Sequence, residues 1–142
     1  MTESAFLKLV RASAAYDLLL TAPFATPWTF ALAHAHLSAA NTRLGGAALP
    51  AFGPFHLLFA CLMGSVVLVW SVLRLRAPSI ALGRHDAVAR LLFAAWMAWT
   101  LAQTGAPLLW LFLVPELAWG VAQSLPAGVT AAPGAAARRA HP

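Results

Sequence analysis

Charge is scarce in this sequence. Nine Lys and Arg and four Asp and Glu among 142 residues make 9% charged, where an ordinary soluble chain carries about a quarter. Cysteine is nearly absent as well. The one thiol, Cys61, sits in an apolar run, which excludes an intrachain disulfide, a CxxC redox pair and a cysteine metal cluster. The net charge of +5 and a pI near 11.2 come from scattered basic residues without a basic stripe or interleaved aromatics. That pattern argues against nucleic acid as a partner. HExxH, GxSxG, P-loop and dinucleotide-binding patterns are missing, and no internal repeat of the transporter kind is evident.

What is present is apolar: 61% of residues and a mean hydropathy of +0.77. Such a composition leaves too little polar surface to cover a soluble core, so it predicts an all-α integral membrane protein. Spans of about 17 to 25 residues can be drawn at about 7–23, 54–73, 86–104 and 107–125. The segment from Pro27 to Arg43 is only partly apolar. Thr26-Pro27 reads as a cap with proline at the first helical position and Gly45-Gly46 as a stop, which predicts a short interfacial helix at 27–43 between spans one and two. The expected domain is thus a four-helix bundle over 1–126. The tail at 127–142, rich in alanine and broken by glycine and proline, reads as a disordered cytoplasmic extension.

Basic residues set the topology. Lys8 and Arg11 precede or open span one, Arg74, Arg76 and Arg84 lie between spans two and three, and Arg138 and Arg139 follow span four. The other side carries Arg43 alone. The positive-inside rule then places both termini in the cytoplasm of a bacterial cell, the protein being multi-pass in the inner membrane. A signal peptide with Ala31-Leu32-Ala33 or Ala33-His34-Ala35 as its small-residue cleavage site is the rival for the first segment; Asp17 within the apolar stretch and the prolines and tryptophan that follow speak against it.

Acids inside spans are the chemistry-bearing feature. Asp17 lies about ten residues, or about 15 Å, from the cytoplasmic end of span one, and Glu116, in LVPELAW, lies at a similar depth approached from the opposite end of span four. A charge at a lipid-facing helix centre costs about 2.5 to 3.5 kcal/mol on insertion scales, so both carboxylates should face the bundle interior. Ser13, Asp17 and Thr21, spaced by four, and Glu116, Gly120 and Gln123 suggest a polar seam. Arg90 has Asp86 as its local partner at i, i+4 and Asp17 or Glu116 as inward alternatives. His56, at the outer entrance of span two, is the third candidate for acid–base work and is placed to reach Gln103 or Thr104. His34 and His36, two apart on a helix, point to different sides, so no metal is expected.

Packing features complete the list. Ala60 and Gly64 form a small-xxx-small pair, Trp28, Trp70 and Trp110 suit interfacial belts, and Trp96, Trp99 and Trp119 lie deeper. The expected ligand-binding set is Tyr16, Asp17, Arg90, Trp96, Glu116 and Trp119, with Asp17, Glu116 and His56 as candidate catalytic residues and no cofactor.

The succession YDLLLTAPFATPW, FHLLFACLMGSVVLVW, GRHDAVARLLFAAW and LVPELAWGV resembles DoxX-like four-helix bacterial inner-membrane proteins over about residues 7–125. More distantly, four spans with interior acids resemble the EXPERA proteins of sterol isomerisation and sterol binding. Neither resemblance transfers a functional residue. The expected function is binding of an apolar small molecule or lipid in an intrabundle cavity. The alternatives are an acid–base isomerase using Asp17 and Glu116, or an accessory subunit packing through the Ala60 and Gly64 face; homo-oligomers or a larger membrane complex are the expected assemblies.

Overall fold

The computed structural model describes residues 1–128, and those residues form a helical bundle of five α-helices. Helix α1 (Glu3–Thr21) starts where the Thr2 hydroxyl accepts a bond from the Ala5 N–H, and it passes into a 3-10 turn over Ala22–Phe24 at Pro23. Helix α2 (Pro27–Arg43) is capped by Thr26, which accepts from the Thr29 N–H, and opens on Pro27, whose missing N–H is one that no helix bonds anyway. Its bounds coincide with the helix expected there. Helix α3 (Pro54–Arg76) likewise opens on a proline. Helix α4 (Ile80–Thr104) is capped by Ser79 and stopped by Gly105 in the left-handed conformation, φ 61°, where a side chain would be strained. A 3-10 turn over Pro107–Leu109 leads into α5 (Trp110–Ser124), which runs on through Pro115.

Helices α1 and α4 start earlier and α3 ends later than the apolar runs that announce them, whereas α5 (Trp110–Ser124) lies within its expected span of about 107–125, the first three residues of that span forming the 3-10 turn. Span one was expected at about 7–23 and the helix covers Glu3–Thr21; span three was expected at about 86–104 and α4 begins at Ile80. Polar caps, rather than the loss of hydrophobicity, decide where these helices begin. By length and composition one helix, Pro54–Arg76, qualifies by itself as a membrane span. Helices α1 and α4 carry several charges each, and α5 has fifteen residues. The tail expected to be disordered lies, from residue 129 onward, outside the described residues.

Two glycines set the spacing of the bundle. A Cβ on Gly83 would stand 2.6 Å from the side chains of Phe6 and Val10, so α1 and α4 meet there at backbone distance. A Cβ on Gly64 would stand 2.6 Å from the Phe24 carbonyl carbon. At Gly64, therefore, α3 packs directly on the α1–α2 connection of the same chain.

Helix α2 bridges one end of the bundle. Its Phe30 packs on Phe24 and Phe52 at ring distances of 5.8 and 4.9 Å. At its other end Asn41, 2% exposed, accepts from the Leu108 N–H at 3.0 Å and donates to the Ala47 carbonyl at 2.7 Å. The opposite end is tied by Arg84, which donates to the Gln123 and Leu125 carbonyls at 2.7 and 2.8 Å and so caps α5 where its last carbonyls lack helical partners. The amino terminus donates to the Pro126 carbonyl at 2.8 Å. Both ends of the described chain thus lie beside the start of α4.

Candidate functional site

Four of the five helices send a charged side chain to one place. Asp17 comes from α1, Arg74 from α3, Asp86 and Arg90 from α4, and Glu116 from α5. The Arg74 guanidinium donates to Asp17 Oδ2 and Asp86 Oδ2, each at 2.5 Å. Arg90 donates through Nη2 to Asp17 Oδ2 at 2.6 Å, through Nε to Asp86 Oδ2 at 3.0 Å and through Nη1 to Glu116 Oε2 at 2.9 Å. Asp17, Arg74, Asp86 and Arg90 therefore close a ring in which each aspartate takes both guanidiniums. Glu116 hangs on that ring by one bond.

The ring is deeply enclosed. Arg74 is 0% and Arg90 2% exposed, and they are the largest side chains sealed in the bundle. Arginine suits such a place because its planar fork supplies five donors in fixed directions. Neutral groups use what remains: Trp70 Nε1 donates to Asp86 Oδ1 at 2.9 Å, and Ser13 Oγ accepts from Gln123 Nε2 at 2.7 Å and from Arg74 Nη1 at 3.4 Å. Two buried polar atoms among the described residues lack a partner, Arg74 Nε and Gln123 Oε1.

Charge does not balance. Three carboxylates meet two guanidiniums in the cluster, one negative charge in excess when all are ionised. The excess falls on Glu116, the acid with the fewest bonds. Its Oε2 takes Arg90, and its Oε1 is left without a guanidinium. Half-buried beside it are Trp119, one helical turn further along α5, and Tyr16, whose rings stand 6.0 Å apart at a tilt of 47°.

Compared with family models, curated proteins and solved structures, the chain has no match.

Of the residues singled out in the sequence, Tyr16, Asp17, Arg90, Glu116 and Trp119 come together. Asp17 and Glu116 are joined through Arg90, which bonds to both. Arg90 also keeps its local partner, Asp86, so the local and inward alternatives hold at once. Trp96 does not join them: it is 66% exposed on the outer face of α4. His56 is exposed as well. Its ring stacks edge-on against Phe52 at 6.1 Å, at the α2 end of the bundle and away from the acids. Thr21 bonds back to the Asp17 backbone carbonyl at 2.6 Å, so the polar seam of α1 reduces to Ser13 and Asp17.

The sequence reading missed Arg74, Asp86 as a shared acceptor, and the inward role of Trp70. The topology pattern puts Arg74 in the connection between spans two and three; it lies within α3 and is wholly buried. A signal was present in Trp70, Ser71 and Arg74, which occupy i, i+1 and i+4 and carry three polar groups in the last turns of an otherwise apolar helix.

A separate apolar groove of about 970 Å³ runs between α1 and α2, with Leu18, Leu19, Leu32, Ala33 and His36 among its walls. None of the clustered acids lines it. Chemically, then, Asp17 and Asp86 each hold two guanidiniums, and Glu116 is the acid of the cluster held by one.

Proposed function

We propose that the chain is an integral membrane protein of the bacterial inner-membrane kind. Helices α1, α3, α4 and α5 span, α2 lies at the outer surface and both termini are cytoplasmic. It binds an apolar small molecule or lipid beside Glu116. One observation carries this: the distribution of polarity is reversed from that of a water-soluble bundle. Arg74, Arg90 and Asp86 are 0%, 2% and 3% exposed, whereas Phe55, Val69 and Trp96 are 77%, 67% and 66% exposed. A soluble chain hides its large apolar groups and leaves charges in water, and contiguous apolar surface on this scale belongs against lipid or protein. Inside a bilayer the same arrangement is the economical one, because every ionised group finds its partner within the bundle.

The bonding pattern favours binding over an acid–base reaction. An isomerase of the kind the sequence suggests needs two groups that trade protons at the substrate. Asp17 accepts from two guanidiniums through Oδ2, whereas Glu116 takes a single guanidinium bond. The likeness to DoxX-like proteins belongs to the same proposal and rests on architecture.

The expected result is that the protein purified in mild detergent carries bound lipid or another apolar molecule, detected by mass spectrometry of the organic extract. Glu116→Gln should lower that occupancy several-fold while the protein remains folded. Retention of the full complement by the folded variant would overturn the assignment of the site to Glu116.

A further inference from the structure

We propose that Glu116, Tyr16 and Trp119 form a seat for an organic cation, an ammonium-type or phosphonium-type centre on an apolar body. The inference deepens the binding function proposed above and rests on it. Three observations converge. The cluster holds three carboxylates against two guanidiniums, and a net charge enclosed in a low-dielectric bundle is costly unless a counter-charge or a proton joins it. The deficit is localised, because Glu116 is held by a single bond from Arg90 to Oε2. The surroundings of Glu116 are aromatic, with Trp119 and Tyr16 half-buried and their rings 6.0 Å apart. Tilted aromatic faces next to a carboxylate attract a cation through the ring quadrupole and reject an anion.

The same face of α5 carries a second unspent acceptor. Gln123, seven residues beyond Glu116 and so on the same side of the helix, is wholly buried. Its amide is turned into the cluster by the bond to Ser13, and its Oε1 has no partner. Acceptors are thus in surplus along this wall. Among the described residues, Arg84 is engaged by the Gln123 and Leu125 carbonyls, and Lys8 and Arg11 are exposed on α1, so none of these is positioned to fill the deficit.

Without a cation, a proton on Glu116 completes the charge balance. Cation binding then releases that proton to water, the carboxyl O–H bond breaking as the ion pair forms. The groups acting on Glu116 are Tyr16 and Asp17 from α1, Asp86 and Arg90 from α4, and, through Asp17 and Asp86, Arg74 from α3. The guanidiniums stay charged throughout, so the proton balance of the seat lies with Glu116.

Tetraphenylphosphonium and tetraphenylborate have the same shape and opposite charge, and both can be titrated calorimetrically into the full chain in neutral detergent. The phosphonium should bind and the borate should not. Phosphonium affinity should fall at acid pH as protons compete, should fall about tenfold or more in Glu116→Gln, and should fall about threefold in Trp119→Leu, which keeps the carboxylate. Equal binding of the two ions, or unchanged phosphonium affinity in folded Glu116→Gln, would overturn the proposal. Should Glu116→Gln fail to fold, the Trp119→Leu and pH arms decide. If bound lipid is lost in Glu116→Gln but wild type ignores the phosphonium, the cation seat is wrong and the binding function stands; if neither ligand depends on Glu116, both fall.

Discussion

Arg90→Met should destabilise the protein by about 3–5 kcal/mol, the range for breaking a buried ion pair by removing one partner. Arg90 bonds to Asp17, Asp86 and Glu116 at 2.6, 3.0 and 2.9 Å, and methionine fills much of its volume while leaving three carboxylates facing one guanidinium. Asp86→Asn supplies the contrast. It removes one acid of the three and leaves two acids against two guanidiniums, with the amide still able to meet Trp70 or an arginine. Its cost should therefore be clearly smaller than that of Arg90→Met. Chemical or thermal denaturation of the detergent-solubilised variants measures both. A loss in Arg90→Met of under about 1 kcal/mol, the scale of an exposed pair, would mean that the guanidinium does not hold the bundle together.

Arg74→Met is the second large effect, again about 3–5 kcal/mol, and it separates two accounts of one residue. As a loop charge of the topology signal, Arg74 would be replaceable within about 0.5 kcal/mol. As the wholly buried partner of Asp17 and Asp86, both at 2.5 Å, it is not. Coupling gives the sharper reading. Adding Asp17→Asn to Arg74→Met removes both ends of one pair, so the double variant should lose less than the sum of the single losses. Simple additivity would show that the two side chains do not share an interaction.

Much of the helical layout was legible because it is written in local chemistry. Thr26-Pro27 and Pro54 mark the starts of α2 and α3, and Gly105 marks the end of α4; each acts through its own backbone geometry and needs no tertiary information. Asp17, Arg90 and Glu116 were legible for a different reason, since ionised groups deep in apolar runs have few tolerable places to go. Trp119 and Tyr16 followed from being near them in sequence.

What the sequence hid depends on long-range geometry. Arg74 sits two residues from the end of α3, where basic side chains ordinarily turn to water or headgroups. Only the packing of α1 against α3, set by Gly64 meeting the backbone of Phe24, brings Asp17 and Ser13 within its reach. Asp86 reads as the local mate of Arg90, and its second guanidinium is visible only after the α3–α4 turn has folded back. Trp96 lies apart from the cluster for the converse reason. Tryptophan at depth in a helix says nothing about azimuth, and in α4 the inward stripe is Gly83, Asp86, Ala87, Arg90 and Ala94, which turns Trp96 outward.

The outer face of the bundle offers the most direct test of the whole account. Single nitroxide labels at Val69→Cys and Trp96→Cys, in a Cys61→Ala background and reconstituted into bilayers, should be relaxed strongly by oxygen and weakly by a water-soluble nickel chelate. A label at Arg43→Cys, just beyond the apolar faces, should show the reverse. Nickel accessibility at Val69 and Trp96 equal to that at Arg43 would contradict a bundle that keeps its charges inside and turns its apolar surface to lipid.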